Sequence, residues 1–498
     1  MKRIILITIG FVFVFSSCSK LDEEVFDKIP GDKYPENEAQ VASLAVNAYK
    51  QLQNFADDGN DDQGGWWFLA QIMTGDLVCG PTRGADWYDG GKWVNMHRHE
   101  WTNDDEGVNR MWTNFWSGIT TCNSTLDLLR ELEANETTLI KIKELEALRS
   151  FYYYLLIDNY GDAPYLTTTK GVPAQPFKES REAIFDSLVN TITSALPYLK
   201  AIDNKYMMTK YTGYALLAKL YLNAEVYKGE AEWAKAEMYI DSVLNGPYNL
   251  ASNVLDPFIT NNENSSEIIF SIPYDEDNFQ GFRLHMRTLH YQHNLKYDMP
   301  VGPWNGFAIV PSHFDRYEDG DARKEGYNIY GLQYASNGSV ILDGTTHEPL
   351  DIDPYLPALS MSAGTHTATE IRTTGARIGK YEIAMGAKEN LSNDLPLFRL
   401  TDFWLMKAEV VIRQGGNGDE WINDIRQRAG VDTWGGATLE QLLDERAREL
   451  YCEGHRRQDL IRFGKYGEAW WEKSFSSPDR EVFPIPKRES DANPNLLQ

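Results

Sequence analysis

Basic residues are scarce in this chain: 48 lysines and arginines stand against 73 aspartates and glutamates, a formal net charge of −25. Such a surface repels polyanions, which argues against nucleic acid as a partner and against electrostatic adhesion to anionic lipid. Cysteine is scarcer still, with four in 498 residues. One of them, Cys18, has a separate use described below. The other three, Cys79, Cys122 and Cys452, permit at most one disulfide, and their spacing fits no zinc or redox motif. Beyond Ile4 to Phe15 there is no apolar run that approaches a membrane span. A Gly-x-Ser-x-Gly elbow, a phosphate loop and a dinucleotide fingerprint are all missing. Core-forming residues are not lacking. With 42% hydrophobic and 12% aromatic content the chain is globular despite its charge.

The chain opens MKRIILITIGFVFVFSSCSK, two basic residues before a short apolar run and then small residues. That pattern is an export signal over residues 1–17, too short to serve as a membrane anchor. Cys18, directly after Ser16-Ser17, resembles the cysteine of a bacterial lipoprotein box, where it becomes the lipidated first residue; Phe15 departs from the small aliphatic residue usual there. Several acyl chains, at about 0.8 kcal/mol per buried methylene, give stable anchoring. Ser19 to Glu24 resembles the acidic tag that sends such lipoproteins to the cell surface in Bacteroidetes. About 480 residues follow Cys18: a tether over 18–34, then a single domain over 35–498.

Within that domain, helical periodicity is strong over about 35–59, 108–250 and 396–498 and fades over 60–107 and 251–395. Val41, Ala45, Ala48, Tyr49 and Leu52 share one helical face, and Trp112, Phe115, Trp116 and Ile119 repeat at three and four, which makes Trp112 and Trp116 core residues. A helix over Leu145 to Leu156 stops at Gly161 and Pro164, and another runs from Arg181 to Leu199. Gly213 to Tyr227 and Ala231 to Leu244 read as two helices joined by Lys228-Gly229-Glu230, a unit of about 34 residues with tetratricopeptide period. Leu400 to Arg413 and Asp419 to Arg428 form a looser second pair. The stretch 251–395 reads as long loops and short strands such as Ile268-Ile269-Phe270, and so long an irregular segment usually carries function. The fold class is therefore all-α, with loop-rich inserts.

Seven of the fourteen tryptophans fall between Trp66 and Trp116, several among glycines and aspartates. Trp66, Trp67, Trp87, Tyr88 and Trp93, interleaved with Arg83, Asp86, Asp89 and Asn95, read as loop residues that could stack on sugar rings and bond their hydroxyls. Tyr291, Trp304 and Asn305 have the same character in the later insert. The expectation is that the two inserts converge on one face. Other chemistry lacks a pattern. His97 and His99, and His285, His290 and His293, do not have zinc spacing, and Asp315, Glu318, Asp319 and Asp321 lack the distal glutamate of a calcium loop. No metal, cofactor or catalytic residue is expected.

Four stretches resemble one family. They are RSFYYYLLIDNYGDAP (149–164), RLTDFWLMKAEV with INDIRQRAGV (399–431), ERARELYCEGHRRQDLIRFGK (445–465) and FPIPKRESDANPNLL (483–497). In order behind a lipoprotein-like signal, they resemble the SusD/RagB lipoproteins of Bacteroidetes. That resemblance implies a helical scaffold with tetratricopeptide-like pairs, an outer-membrane location at the cell surface, and a SusC-like TonB-dependent transporter as partner. It also implies capture of a nutrient, most often a glycan, without catalysis; a peptide or other nutrient is the alternative ligand, and a glycoside hydrolase a remote one. Individual ligand residues differ between family members, so none is transferred. The motifs themselves read as scaffold, with Glu453, His455, Arg456 and Asp459 expected to pair across neighbouring helical turns.

Overall fold

The computed structural model describes residues 38–56, 66–132, 135–202 and 204–497. The signal segment, Cys18 and the whole tether lie outside them. Helix α1 (Glu38–Lys50) buries Val41, Ala45, Ala48 and Tyr49, the stripe its sequence spaces for burial. Two helices follow where the sequence reads as loop, α2 (Trp67–Met73) and α3 (Lys92–Arg98). Then come the two longest described helices, α4 (Glu106–Leu129) and α5 (Glu136–Tyr160). The Asn135 side chain caps α5 by accepting from the Thr138 N–H at 2.8 Å, and Gly161 at φ 71° ends it. Gly118 lets α4 and α5 meet closely: a Cβ there would stand 2.3 Å from the Tyr152 ring. The Tyr152 hydroxyl in turn donates to the Ala48 carbonyl at 2.7 Å, tying in α1.

The scaffold continues through α6 (Arg181–Ala195), α7 (Lys210–Leu222) and α8 (Trp233–Leu244). Ser180 and Thr209 cap the first two of these. The expected 34-residue pair is present with a shifted corner. Helix α7 ends at Leu222, a short helix covers Ala224–Lys228, and Gly229 turns left-handed before α8. Helix α8 packs between α7 and α9 (Leu400–Arg413), which also carries α10 (Asp419–Ala429) and α11 (Leu439–Glu449). Thr438 and Gln441 cap α11 reciprocally. Helix α12 (Arg456–Arg462) and a last short helix, α13 (Lys487–Ala492), complete the scaffold.

The long insert leaves and re-enters this scaffold through an antiparallel pair, Ile268–Ile272 against Leu395–Arg399. Its other described strands are two-residue pieces in two-stranded pairs, two of which, Val78–Cys79 with Ala308–Ile309 and Thr82–Arg83 with Ser360–Met361, join the two inserts to each other. Cys79, Cys122 and Cys452 are free and buried.

Charged side chains weld the insert to the helices. Arg399, at the end of the closing strand, donates to Glu453 (2.7 Å), Glu267 (2.8 Å) and Glu449 (3.2 Å). Arg323 reaches Glu445 (2.7 Å) and Glu449 (3.0 Å), Arg428 reaches Glu449 (2.6 Å) and Glu267, and Lys380 reaches Glu453 (2.6 Å). All of these residues are buried except Arg428, which is half-buried. The local pairing expected for Glu453, His455, Arg456 and Asp459 is corrected here. Glu453 pairs with Lys380 and Arg399, Arg456 with Asp76 at 2.6 Å, and His455 lies between Lys219 and Asp402; only Asp459 keeps an i,i+3 partner, Arg462. Burial favours these distant partners, because a buried charge needs full pairing that one exposed helical neighbour does not supply.

Buried histidines set the acid limit of this fold. Desolvation holds His97, His290 and His455 down at about 4 and His99 at about 2, so all are neutral in the folded chain at neutral pH. Below their ordinary value near 6.5 the unfolded chain binds protons that the folded chain does not. Stability is therefore fully present above about pH 6.5 and falls as pH drops towards 4. Urea midpoints followed by circular dichroism will be flat above about pH 7.5 and decline steadily below about 6.5. A flat profile down to pH 4.5 would contradict this assignment.

Candidate functional site

Loop 84–91 carries an unusual backbone. Gly84, Trp87, Asp89, Gly90 and Gly91 all have positive φ, at 75°, 59°, 44°, 68° and 86°. Two of them are not glycine, and the left-handed region costs such residues of the order of 1–2 kcal/mol each. The loop holds that shape because the later insert grips it. The Trp87 indole N–H donates to the Trp304 carbonyl at 2.6 Å, and the ring lies so close over Gly306 that a Cβ there would stand 2.2 Å from it. The Tyr291 hydroxyl donates to Asp86, while the Trp93 indole donates back to Asp89 at 2.8 Å. The two inserts therefore meet on one face.

That face differs in composition from the sequence expectation. Trp66 and Trp93 are fully buried and stacked on each other at 4.8 Å, with Phe307 edge-on to Trp93 at 4.9 Å. Trp67 is buried in α2 against Phe55 at 5.7 Å. None of these three offers a face to a ligand in this conformation. They lie on or beside short helices that turn them inward, where the area they bury outweighs any preference of the surrounding glycines for loop. Arg83 and Asn305 are corrected in the same way. Arg83 is buried and donates to the carbonyls of Gly306, Ile371 and Thr374, and Asn305 donates to the Arg372 carbonyl at 3.1 Å and accepts from Arg377 at 2.8 Å. Both fasten the loops rather than face solvent. Trp87, only 7% exposed, is chiefly a staple.

What remains outward is Tyr88, 61% exposed and one residue along from the Trp87 staple, together with the half-buried Tyr291, Trp304 and Asn95. The guanidinium of Arg372 covers one face of Tyr291 at 4.7 Å, and those of Arg283 and Arg287 lie against Trp304 at 5.6 and 5.4 Å. Burial, then the Asp86 carboxylate, push the Tyr291 hydroxyl up to about 12, so it stays a neutral donor. These arginines were missed in the sequence because they lie far from the rings they support and no local spacing marks them. The histidine groups are structural: His97 bonds the Trp471 carbonyl, His99 bonds Ser476 and the Thr74 carbonyl, and His290 lies 3.1 Å from Asp343. In the acidic turn, Asp321 holds Arg323, Glu318 holds Arg426 and Asp315 accepts from Tyr355.

Comparison with known proteins gives this arrangement its context. A model described as the SusD family matches residues 266–475, and a second, described as starch-binding and associating with the outer membrane, matches residues 82–222. Starch-binding protein SusD of Bacteroides thetaiotaomicron is 24% identical, the alignment covering 97% of this chain and 95% of that protein. Among solved structures, surface glycan-binding protein A from Bacteroides thetaiotaomicron in complex with laminarihexaose superposes with a TM-score of 0.74 at 21% identity, covering 92% of this chain and 98% of that one. A SusD superfamily protein from Parabacteroides distasonis does so at 0.75 with 19% identity and the same coverage. The helical fold is shared with these structures, the two matched segments take in the α4–α7 scaffold, the long insert and the charged C-terminal helices, and the chain belongs to the SusD family.

Proposed function

We propose that this chain captures an extracellular glycan on the face formed by loop 84–91 and the 291–305 segment. It is held at the outer membrane through lipid on Cys18, and it passes the ligand to a SusC-like TonB-dependent transporter. Tyr88, Tyr291 and Trp304 supply ring faces, with Asn95 and the Trp87 staple beside them. The observation that carries this is loop 84–91, whose left-handed backbone is fixed by the buried Trp87 and Trp93 and which holds Tyr88 out in solvent. Relatives whose names specify starch or laminarihexaose support a glycan over other ligands. The ligand leaves unchanged, since the nearby carboxylates of Asp86 and Asp89 are engaged in fixing the loop.

Calorimetry against a panel of neutral oligosaccharides, malto- and laminari-hexaose included, and of short peptides tests the proposal. One stacking ring is worth about 0.5–1.5 kcal/mol beyond its area. Tyr88→Ala and Trp304→Ala should each weaken the best saccharide about ten-fold with little change in melting temperature. Peptide binding with no saccharide binding, or full affinity in both variants, would remove the assignment. For delivery, co-purification of the lipidated chain with an outer-membrane barrel is expected, and Cys18→Ala should release the protein from the membrane fraction.

A further inference from the structure

A groove of about 710 Å³ lies on the helical scaffold, lined by other elements than the loop face. Its floor is the outward side of α4, where Thr113, Trp116, Ser117, Thr120 and Thr121 succeed one another without a charged residue. Leu166, Pro176 and the C-terminal residues Asn493 and Leu496 form its walls. Among all its lining residues Glu489 alone carries charge, in a chain that is 24% charged. Exposed helix faces are ordinarily the charged ones. The sequence spacing assigns Trp116 wholly to the core; the structure leaves it half-open to this groove, beside the buried Trp112 at 5.9 Å.

The groove is built, not left over. Tyr153 meets Trp116 edge-on at 6.1 Å and exchanges hydrogen bonds with both the N–H and the carbonyl of Leu166, at 2.7 and 2.9 Å, so one side chain fixes the platform and a wall. Asn493 donates to the Pro176 carbonyl at 2.8 Å and ties the opposite wall together. The hydroxyls of Thr113, Ser117 and Thr121 donate to helix carbonyls one turn back, leaving their oxygen lone pairs as acceptors. A half-open indole over a row of neutral acceptors suits a ligand with apolar C–H faces and many hydroxyl donors. An anion finds no counter-charge there and is repelled by the acidic chain, and a cation meets Glu489 alone.

We propose that this groove is a second binding site for a neutral oligosaccharide, with Trp116 as its stacking platform. The ligand class rests on the function proposed above; the site does not. Two separated sites on one chain raise the avidity for a long polysaccharide well above that for a short oligomer. Calorimetry with a neutral hexasaccharide should give a stoichiometry near two for the native chain. Trp116→Ala should reduce it to one, and so should Thr120→Arg, which fills the groove from an exposed position and leaves the packing beneath intact. Tyr88→Ala should weaken one of the two sites about ten-fold, and the Tyr88→Ala/Thr120→Arg double variant should keep only that weakened site. On the matching insoluble polysaccharide, either single loss should lower retention at least about ten-fold. One site that Tyr88→Ala weakens about ten-fold and both groove variants spare would overturn the second site and keep the loop face. One site abolished by the groove variants and spared by Tyr88→Ala would instead keep the groove and overturn the loop face. No saccharide binding in the native chain would overturn both.

Discussion

Replacing Arg399 with methionine is expected to cost about 3–5 kcal/mol of stability, the usual penalty for removing one partner from a buried charge cluster. Among the described residues, Arg399 is the single group that touches Glu267 at the start of the insert and both Glu449 and Glu453 at the end of α11 and beyond. Its loss leaves three buried carboxylates short of a counter-charge. Glu449 is the sensitive one. Burial opposes its ionisation, yet Arg428, Arg399 and Arg323 hold it down at about 2, so the folded chain keeps it charged where the unfolded chain would not. A carboxylate depressed in this way stabilises the fold above its ordinary value near 4.5, and that stability is lost as pH falls towards 2. Without Arg399 that protection shrinks, and acid unfolding should begin at higher pH than in the native chain. Arg399→Lys should recover only part of the loss, because one ammonium cannot reproduce the forked contacts to Glu453. Urea melts of the three proteins at pH 7 and pH 5 measure both effects. Equal midpoints for the native chain and Arg399→Met would show that the cluster contributes nothing net.

This cluster marks where sequence reading stops. The amphipathic stripes of α1 and α4 and the α9–α10 pair were legible because their apolar positions lie within a few residues of one another, and the Gly161 stop marks the end of α5, which is buried all round from Ala147 to Tyr160. The charges of 445–465 were visible too, but their partners were not. Glu449 and Glu453 find Arg323, Lys380 and Arg399 at sequence separations that no periodicity encodes. The same limit governs the site. Glycines and aspartates around Trp66 and Trp93 signal loop, whereas tertiary burial decides that both rings face inward and that Trp116, on a clear helical stripe, keeps an open edge. Convergence of the two inserts was legible in kind, since both carry rings among turn residues. Which rings remain outside depends on pairings such as Trp87 with Trp304 that only the fold supplies.

Trp93→Ala separates those two roles. A ring-stacking platform at position 93 would lose ligand affinity on this substitution and keep its stability. The structure leads to the opposite expectation. Trp93 has no exposed surface, stacks on Trp66, meets Phe307 edge-on, and its indole N–H holds Asp89 in the left-handed loop. Gly80 allows this packing, since a Cβ there would stand 2.6 Å from Trp93. Truncation removes a large buried ring and leaves a cavity that the stacked Trp66 cannot fill, at a cost of about 3–5 kcal/mol. It also frees Asp89, so loop 84–91 loses the contact that offsets its backbone strain and Tyr88 loses its fixed position. Affinity should therefore fall in Trp93→Ala as a consequence of lost order, with a melting temperature far below that of the native chain. Trp93→Phe, which keeps most of the buried ring but not the N–H, should regain most of the stability and little of the affinity. In Tyr88→Ala the pattern reverses, with native melting and weakened binding. If Trp93→Ala melted like the native chain, the ring would have to be accessible, and the outward face would need to be redrawn around it.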